Sequence, residues 1–173
     1  MRKFYITGIS GVGKSTVIDE LNKKGIKSFD IDVIDGLCHW EHKESKEKAD
    51  YQPGIGKEWL EAHDYYCDTK KLKEIIDESE GEERIVVCGL AKNQDDYMDI
   101  FDKIFLFYCD EKIFLQRLKT RDTNDFARDE SEQKYLLNEY KDFKDKMLKH
   151  DAILINTEDP VEVVLEKVIK EII

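Results

Sequence analysis

The sequence predicts an α/β domain of three layers (α/β/α), with a five-stranded parallel sheet between two layers of helices. Three observations carry that prediction. Short, continuous apolar runs recur at Ile85-Val86-Val87-Cys88, Ile104-Phe105-Leu106-Phe107 and Ala152-Ile153-Leu154-Ile155. Such runs suit strands covered on both faces. Between them apolar residues return at helical spacing. The regular alternation of the two patterns within 173 residues suits one domain with one sheet.

The elements follow in order. Strands are expected at 3–7, 27–31, 84–88, 103–108 and 152–155. After the first, Val17, Ile18 and Leu21 recur at helical spacing and Gly25 offers a stop. Short helices are expected over 95–101 and 111–121, and a long one over 131–149 with Leu136, Tyr140, Phe143 and Met147 on one face. Asp159-Pro160 reads as the N-cap and first position of the last helix, whose buried stripe is Val161, Val164, Leu165, Val168 and Ile172. Two segments fall outside this alternation. Residues 33–80 form a long insertion, helical by pattern, and 121–131 form a short polar connection.

Composition narrows the function classes. The net charge is −11 and no basic stripe is visible, which disfavours nucleic acid as the main partner. No apolar run approaches the length of a membrane span. The N-terminus runs directly into a charged strand without a signal-peptide pattern, which predicts a cytoplasmic protein. Cys38, Cys67, Cys88 and Cys109 form no C-x-x-C pair; Cys88 and Cys109 end apolar runs and are expected as buried thiols.

The chemistry begins at Gly8-Ile9-Ser10-Gly11-Val12-Gly13-Lys14-Ser15, which fits G-x-x-x-x-G-K-[ST] between a strand and a helix. Glycines there let backbone N–H groups curl around phosphate oxygens, and the helix start adds its positive dipole end. Gly8, Ser10, Gly11, Val12, Gly13, Lys14, Ser15 and Thr16 are therefore expected to hold ATP, with Lys14 on the β- and γ-phosphates and Ser15 on Mg²⁺. Asp30 and Asp32 close the second strand, where ligands gather at the carboxyl ends of α/β sheets. A carboxylate there can accept the proton of an attacking hydroxyl. Arg117, Arg121 and Arg128 are three of only five arginines and cluster at the 121–131 connection. Planar cations suit the charge that spreads over a transferring phosphoryl group.

Together these features resemble the P-loop kinases of small molecules, namely adenylate, shikimate and gluconate kinases, over essentially the whole chain. The resemblance implies a P-loop NTPase fold with strand order 2-3-1-4-5. It implies an acceptor-binding role for residues 33–80 and a lid at 121–131. The Asp30-x-Asp32 segment is similar to that of shikimate kinases, implying Mg²⁺ support and contact with the acceptor hydroxyl, with Asp32 favoured over Asp30. Gly89, Lys92 and Gln94 follow the third strand where relatives contact the acceptor. Asn156-Thr157 stands where the family packs a turn against adenine.

Residues 33–83 depart from the pattern. They hold no arginine, and 15 Asp/Glu stand against 7 Lys. Glu61 follows Trp59 where shikimate kinases have an arginine that grips a carboxylate. A neutral or cationic acceptor is favoured: a nucleoside, sugar or amino alcohol. Trp59 is expected to contact it, among the rings Trp40, Tyr51, Tyr65 and Tyr66. Open alternatives are a nucleoside monophosphate kinase, a nucleotide-binding regulator or slow NTPase, and a kinase of tRNA or polynucleotide ends. Cys38-x-x-x-His42 and His63-x-x-x-Cys67, with His39 to spare, offer a zinc site if both pairs lie on helices.

Overall fold

A computed structural model describes residues 1–120, 125–127 and 129–173. The central sheet contains β1 (Arg2–Thr7), β2 (Ser28–Asp30), β6 (Arg84–Cys88), β7 (Lys103–Tyr108) and β8 (Ile153–Asn156), in the order β2-β6-β1-β7-β8. Every pairing is parallel. Counting only these five strands, the order is the expected 2-3-1-4-5.

Side-chain alternation divides the core into two. Phe4, Ile6, Val86, Phe105 and Phe107 face helices α1 (Lys14–Lys23), α4 (Glu111–Thr120) and α6 (Val161–Ile172), meeting Val17, Leu21, Phe114, Leu118, Leu165 and Val168. Tyr5, Ile85, Val87, Ile104 and Leu106 face the other way, toward α3 (Thr69–Asp77), Tyr97, Phe101 and Met147. Both faces are covered, which is why the strands read as unbroken apolar runs. The long helix α5 (Glu130–Lys149) turns Leu136, Tyr140, Phe143 and Met147 inward, as its spacing predicts. Among the described residues no helix is long and apolar enough to cross a membrane.

Three expectations need correction. Residues 95–101 form two short 3-10 turns, Gln94–Asp96 and Met98–Ile100, rather than a helix. Pro160 occupies the N-cap position of α6 with no side-chain cap, while Asp159 pairs with Lys167 at 2.7 Å. The insertion is not mainly helical. It carries a second, antiparallel sheet of β3 (Cys38–His42), β4 (Lys48–Ala49) and β5 (His63–Cys67), ordered β4-β3-β5, with helix α2 (Lys57–Ala62) before β5. A spacing of four satisfies both a helical turn and strand alternation. The period-two pattern Cys38, Trp40, His42 decided the outcome.

That sheet removes the zinc reading. Cys38 faces Cys67 and His42 faces His63 at opposite ends of the ladder, about 13 Å apart along an extended strand. Among the described residues no group of three or more His, Cys, Asp or Glu is placed to hold a metal. All four cysteines are free thiols, and Cys88 and Cys109 are buried as expected.

Candidate active site

The glycine-rich turn sits between β1 and α1. A side chain at Gly8 would put Cβ 2.6 Å from the Phe107 carbonyl oxygen, so only glycine fits against β7. Gly13 takes a left-handed conformation at the N-cap of α1. Lys14 is 8 % exposed, and its Nζ donates to the Gly8 carbonyl at 2.7 Å and the Ile9 carbonyl at 3.3 Å. The ammonium thus folds across the turn that would cradle phosphate. Ser15 Oγ donates to Asp30 Oδ2 at 2.7 Å.

Asp30 is buried and ties the site together. Its second oxygen accepts from the Asp32 backbone N–H at 3.0 Å, capping the turn Ile31–Val33. Gly89 lets that turn approach, since a Cβ there would lie 2.2 Å from the Ile31 side chain. Asp30 also pairs in register with Cys88. β6 ends in Cys88 without a carboxylate, and Asp30 supplies one on the neighbouring strand.

Asp32 is open to solvent through two cavities, yet protein crowds it. Enclosure first, and the Asp30 charge second, push its carboxyl up to about 6; Lys14 and the Tyr65 hydroxyl pull the other way. Tyr65 is shifted upward in turn, by enclosure and then by the Asp32 charge. Its hydroxyl stays protonated at neutral pH.

One cavity, of about 650 Å³, is lined by Ser10–Val17, Asp30, Asp32, Arg117, Thr120, Thr157 and the start of α6. The other, of about 490 Å³, is bounded by Trp40, His63 and Tyr65 of the small sheet, Leu90–Lys92 and Gln94 after β6, Phe126, and Tyr135 to Lys146 on α5. Ser10, Lys14 and Asp32 belong to both walls.

The sequence-derived candidates fall as follows. Ser10, Gly11, Val12, Gly13, Lys14, Ser15, Thr16, Arg117 and Thr157 meet at the first cavity with Asp30 and Asp32. The Arg117 guanidinium donates to Thr157 Oγ1 at 3.2 Å and to its carbonyl at 2.6 Å, so it braces the turn after β8. Asn156 is absent from the cavity wall; its Oδ1 accepts from the Glu158 N–H at 2.8 Å. Lys92 and Gln94 line the second cavity, and Gln94 Oε1 accepts from Thr7 at 3.1 Å. Gly89 supports the floor without lining it. Trp59 stands behind the wall, stacked on His63 at 4.0 Å and edge-on to Trp40, and Trp40 takes the lining position. Arg121 and Arg128 lie outside the described residues.

Tyr65 is the residue whose place beside Asp32 the sequence reading missed. Its signal was the alternation His63, Tyr65, Cys67. Glu139 and Asp142, contributed by α5, gave no signal, because exposed helix acids are common. Phe126 packs against Tyr51 at 5.1 Å and Trp40 at 6.1 Å, placing this part of the 121–131 connection over the insertion. Beneath it the buried Glu132 accepts from the Tyr51 hydroxyl at 3.0 Å and the Gly56 N–H at 3.2 Å.

Residues 5–138 match the AAA domain family. The chain belongs to that family. No curated protein matches this AAA domain in sequence. Among solved structures it is similar to deoxyadenosine kinase from M. mycoides with bound dATP, at 16% identity and a TM-score of 0.57, covering 98% of both chains. It is also similar to shikimate kinase from Aquifex aeolicus, at 20% identity and a TM-score of 0.53, covering 98% of this chain and 94% of that one. A gluconokinase from Sinorhizobium meliloti gives 16% identity and a TM-score of 0.54, covering 95% of this chain and 87% of that one. At these identities the likeness establishes that the AAA domain has the fold of P-loop small-molecule kinases.

Proposed function

We propose that the protein transfers the γ-phosphate of ATP to a hydroxyl of a small neutral or cationic acceptor, such as a nucleoside, sugar or amino alcohol. The observation that carries this reading is the shared wall: Ser10, Lys14 and Asp32 line both cavities. A donor in the first and an acceptor in the second meet at these three residues, which supplies the proximity that phosphoryl transfer needs.

Ser15, Asp30 and Asp32 offer hard oxygen ligands, the set that suits Mg²⁺. A Mg²⁺ ion held by these residues would supply charge neutralisation on the phosphates. The chain's own residues do the rest. Backbone N–H groups of Gly11 to Thr16 bind phosphate oxygens at the start of α1. Lys14 leaves the Gly8 and Ile9 carbonyls for the transferring group. Asp32 takes the acceptor's proton, and Tyr65 orients Asp32. Thr157, braced by Arg117, borders the base. Lys92 and Gln94 position the acceptor against Trp40.

The acceptor's charge follows from the second cavity. Among the described lining residues there is no arginine, and Lys146 is paired with Asp95. Asp32, Asp64, Glu139 and Asp142 line the same space against Lys14 and Lys92; with Asp64 held by Lys43, three acids still face two lysines. An anionic acceptor meets more repulsion there than attraction. A nucleotide-binding regulator would suit a β6 that ends without a carboxylate, but Asp30, in register beside Cys88, supplies one on the neighbouring strand, which favours the kinase reading. An ADP-release screen over nucleosides, nucleoside monophosphates, sugars and amino alcohols tests the proposal. A neutral or cationic acceptor is expected to accelerate release, and a strong preference for a monophosphate would overturn the charge argument.

A further inference from the structure

Cys38 and Cys67 stand directly opposite each other on the antiparallel pair β3 and β5. The backbone pattern identifies the kind of pair they make. The Asp68 N–H donates to the Leu37 carbonyl at 2.8 Å, just outside the two cysteines. Cys67 does not bond to Cys38 through its own backbone: its N–H and carbonyl are both held by the Asn93 side chain, each at 2.9 Å. Cys38 and Cys67 are therefore a non-hydrogen-bonded pair, the closer of the two antiparallel types, with Cα atoms about 4.5 Å apart. That spacing lies within the range a disulfide spans, about 4.4 to 6.8 Å. Both side chains leave the same face of the sheet. That face also carries Trp40 and Tyr65, two residues along each strand, which line the acceptor cavity.

We propose that Cys38 and Cys67 are a thiol modification site, which closes into a reversible disulfide beside Trp40 and Tyr65 of the acceptor-cavity wall. The two-electron oxidant is a low-molecular-weight disulfide. The partly exposed Cys38 loses its proton and attacks one sulfur of the reagent, releasing one reduced thiol and forming a mixed disulfide. Cys67 then loses its proton and attacks the Cys38 sulfur, and the second reagent thiol leaves and is protonated. Two cysteine thiols are oxidised and one reagent disulfide is reduced to two thiols. Contact with the Cys67 sulfur first, and enclosure second, raise the Cys38 thiol above its usual range. The first attack is slow at neutral pH and proceeds under excess oxidant. Cys88 ends β6 and Cys109 follows β7; both are buried on the central sheet, away from this pair, so they do not compete.

Closure draws the two sulfurs to bonding distance and takes Cys38 from its place beside the Tyr65 hydroxyl. The effect on turnover rests on the kinase reading above; the bond itself does not. The test treats the whole protein with excess oxidised glutathione, then alkylates it and maps it by mass spectrometry without reduction. The expected result is one cross-linked peptide joining Cys38 to Cys67, a loss of two hydrogen atoms from the intact mass, and full reversal by dithiothreitol. Cys67→Ser is expected to stop at a glutathione adduct on Cys38, and Cys38→Ala to give neither product. Circular dichroism of both variants checks their fold. A stable glutathione adduct on Cys38 of the wild-type protein, without the cross-link, overturns the proposal. So does alkylation of both thiols in the folded, oxidant-treated protein. If the cross-link forms but ADP release in the acceptor screen is unchanged, the modification site stands and its link to the acceptor wall fails.

Discussion

Asp32 gains in the folded state the property a proton acceptor needs, and the gain opposes folding. Its carboxyl titrates at about 6 in the fold against 3.8 ordinarily, through enclosure and the Asp30 charge. The native state therefore holds this proton more tightly than the unfolded chain. The stability that follows is complete below 3.8 and is lost as pH rises through about 6. At neutral pH the ionised carboxylate is a net burden, so Asp32→Asn is expected to raise Tm. The same substitution lowers turnover roughly 10²–10⁴-fold, the usual contribution of a general base. In the wild-type protein kcat/KM is expected to climb through pH about 6, where this carboxyl ionises. A variant both less stable and fully active would count against the assignment. Lys14→Ala separates binding from folding in a similar way. It removes two hydrogen bonds to the Gly8 and Ile9 carbonyls and the attraction to Asp32. A stability loss of about 1 kcal/mol is expected in thermal melts, alongside loss of phosphoryl transfer. Gly89→Ala works from beneath: its Cβ would meet Ile31 at 2.2 Å. Displacing that turn is expected to cost about 1–3 kcal/mol and to weaken acceptor-dependent turnover, since Asp32 follows Ile31.

At the scale of elements, the sequence was most readable where one physical signal acted alone. The strands of the central sheet are covered on both faces, so their apolar runs have no competing reading. The glycine-rich turn was equally plain, because its spacing, strand and helix agree. The insertion was misread because its residues satisfy two periods. Cys38 and His42 are four apart, which suits a helical turn, while Cys38, Trp40 and His42 alternate as a strand. The candidate site inherited the difference. Trp59 was favoured from its neighbourhood in sequence, but the ladder β3–β5 put Trp40 and Tyr65 on the wall. What joins the insertion to α5 was illegible, because Glu132 looks like any acid in a first helical turn. In the fold it is fully buried, holding Tyr51 and Gly56. Glu132→Ala leaves the Gly56 N–H without its partner, at about 1–3 kcal/mol. Hydrogen exchange is expected to quicken over residues 51–60 far more than over the central sheet. Uniform quickening across both would show that Glu132 supports the whole fold rather than this junction.

Across the whole molecule, two cavities meet at one short wall. The sheet order places β1 between β6 and β7, so the turn after β1 opens at the centre of the sheet's carboxyl edge. The segments after β2 and β6 approach it from one side, and the turn after β8 and helix α4 from the other. On the proposed reading donor and acceptor have separate chambers, and Ser10, Lys14 and Asp32 line both cavities. The acidic surface, at a net charge of −11, leaves phosphate binding to this local cradle. The central claim is that phosphate crosses that wall to a hydroxyl rather than to water. ³¹P NMR of the protein with ATP, Mg²⁺ and the acceptor selected by the ADP-release screen measures it directly. The account predicts a new phosphomonoester resonance growing in step with loss of the γ-phosphate signal, with inorganic phosphate remaining at background. Accumulation of inorganic phosphate alone, at a rate indifferent to the acceptor, would contradict it.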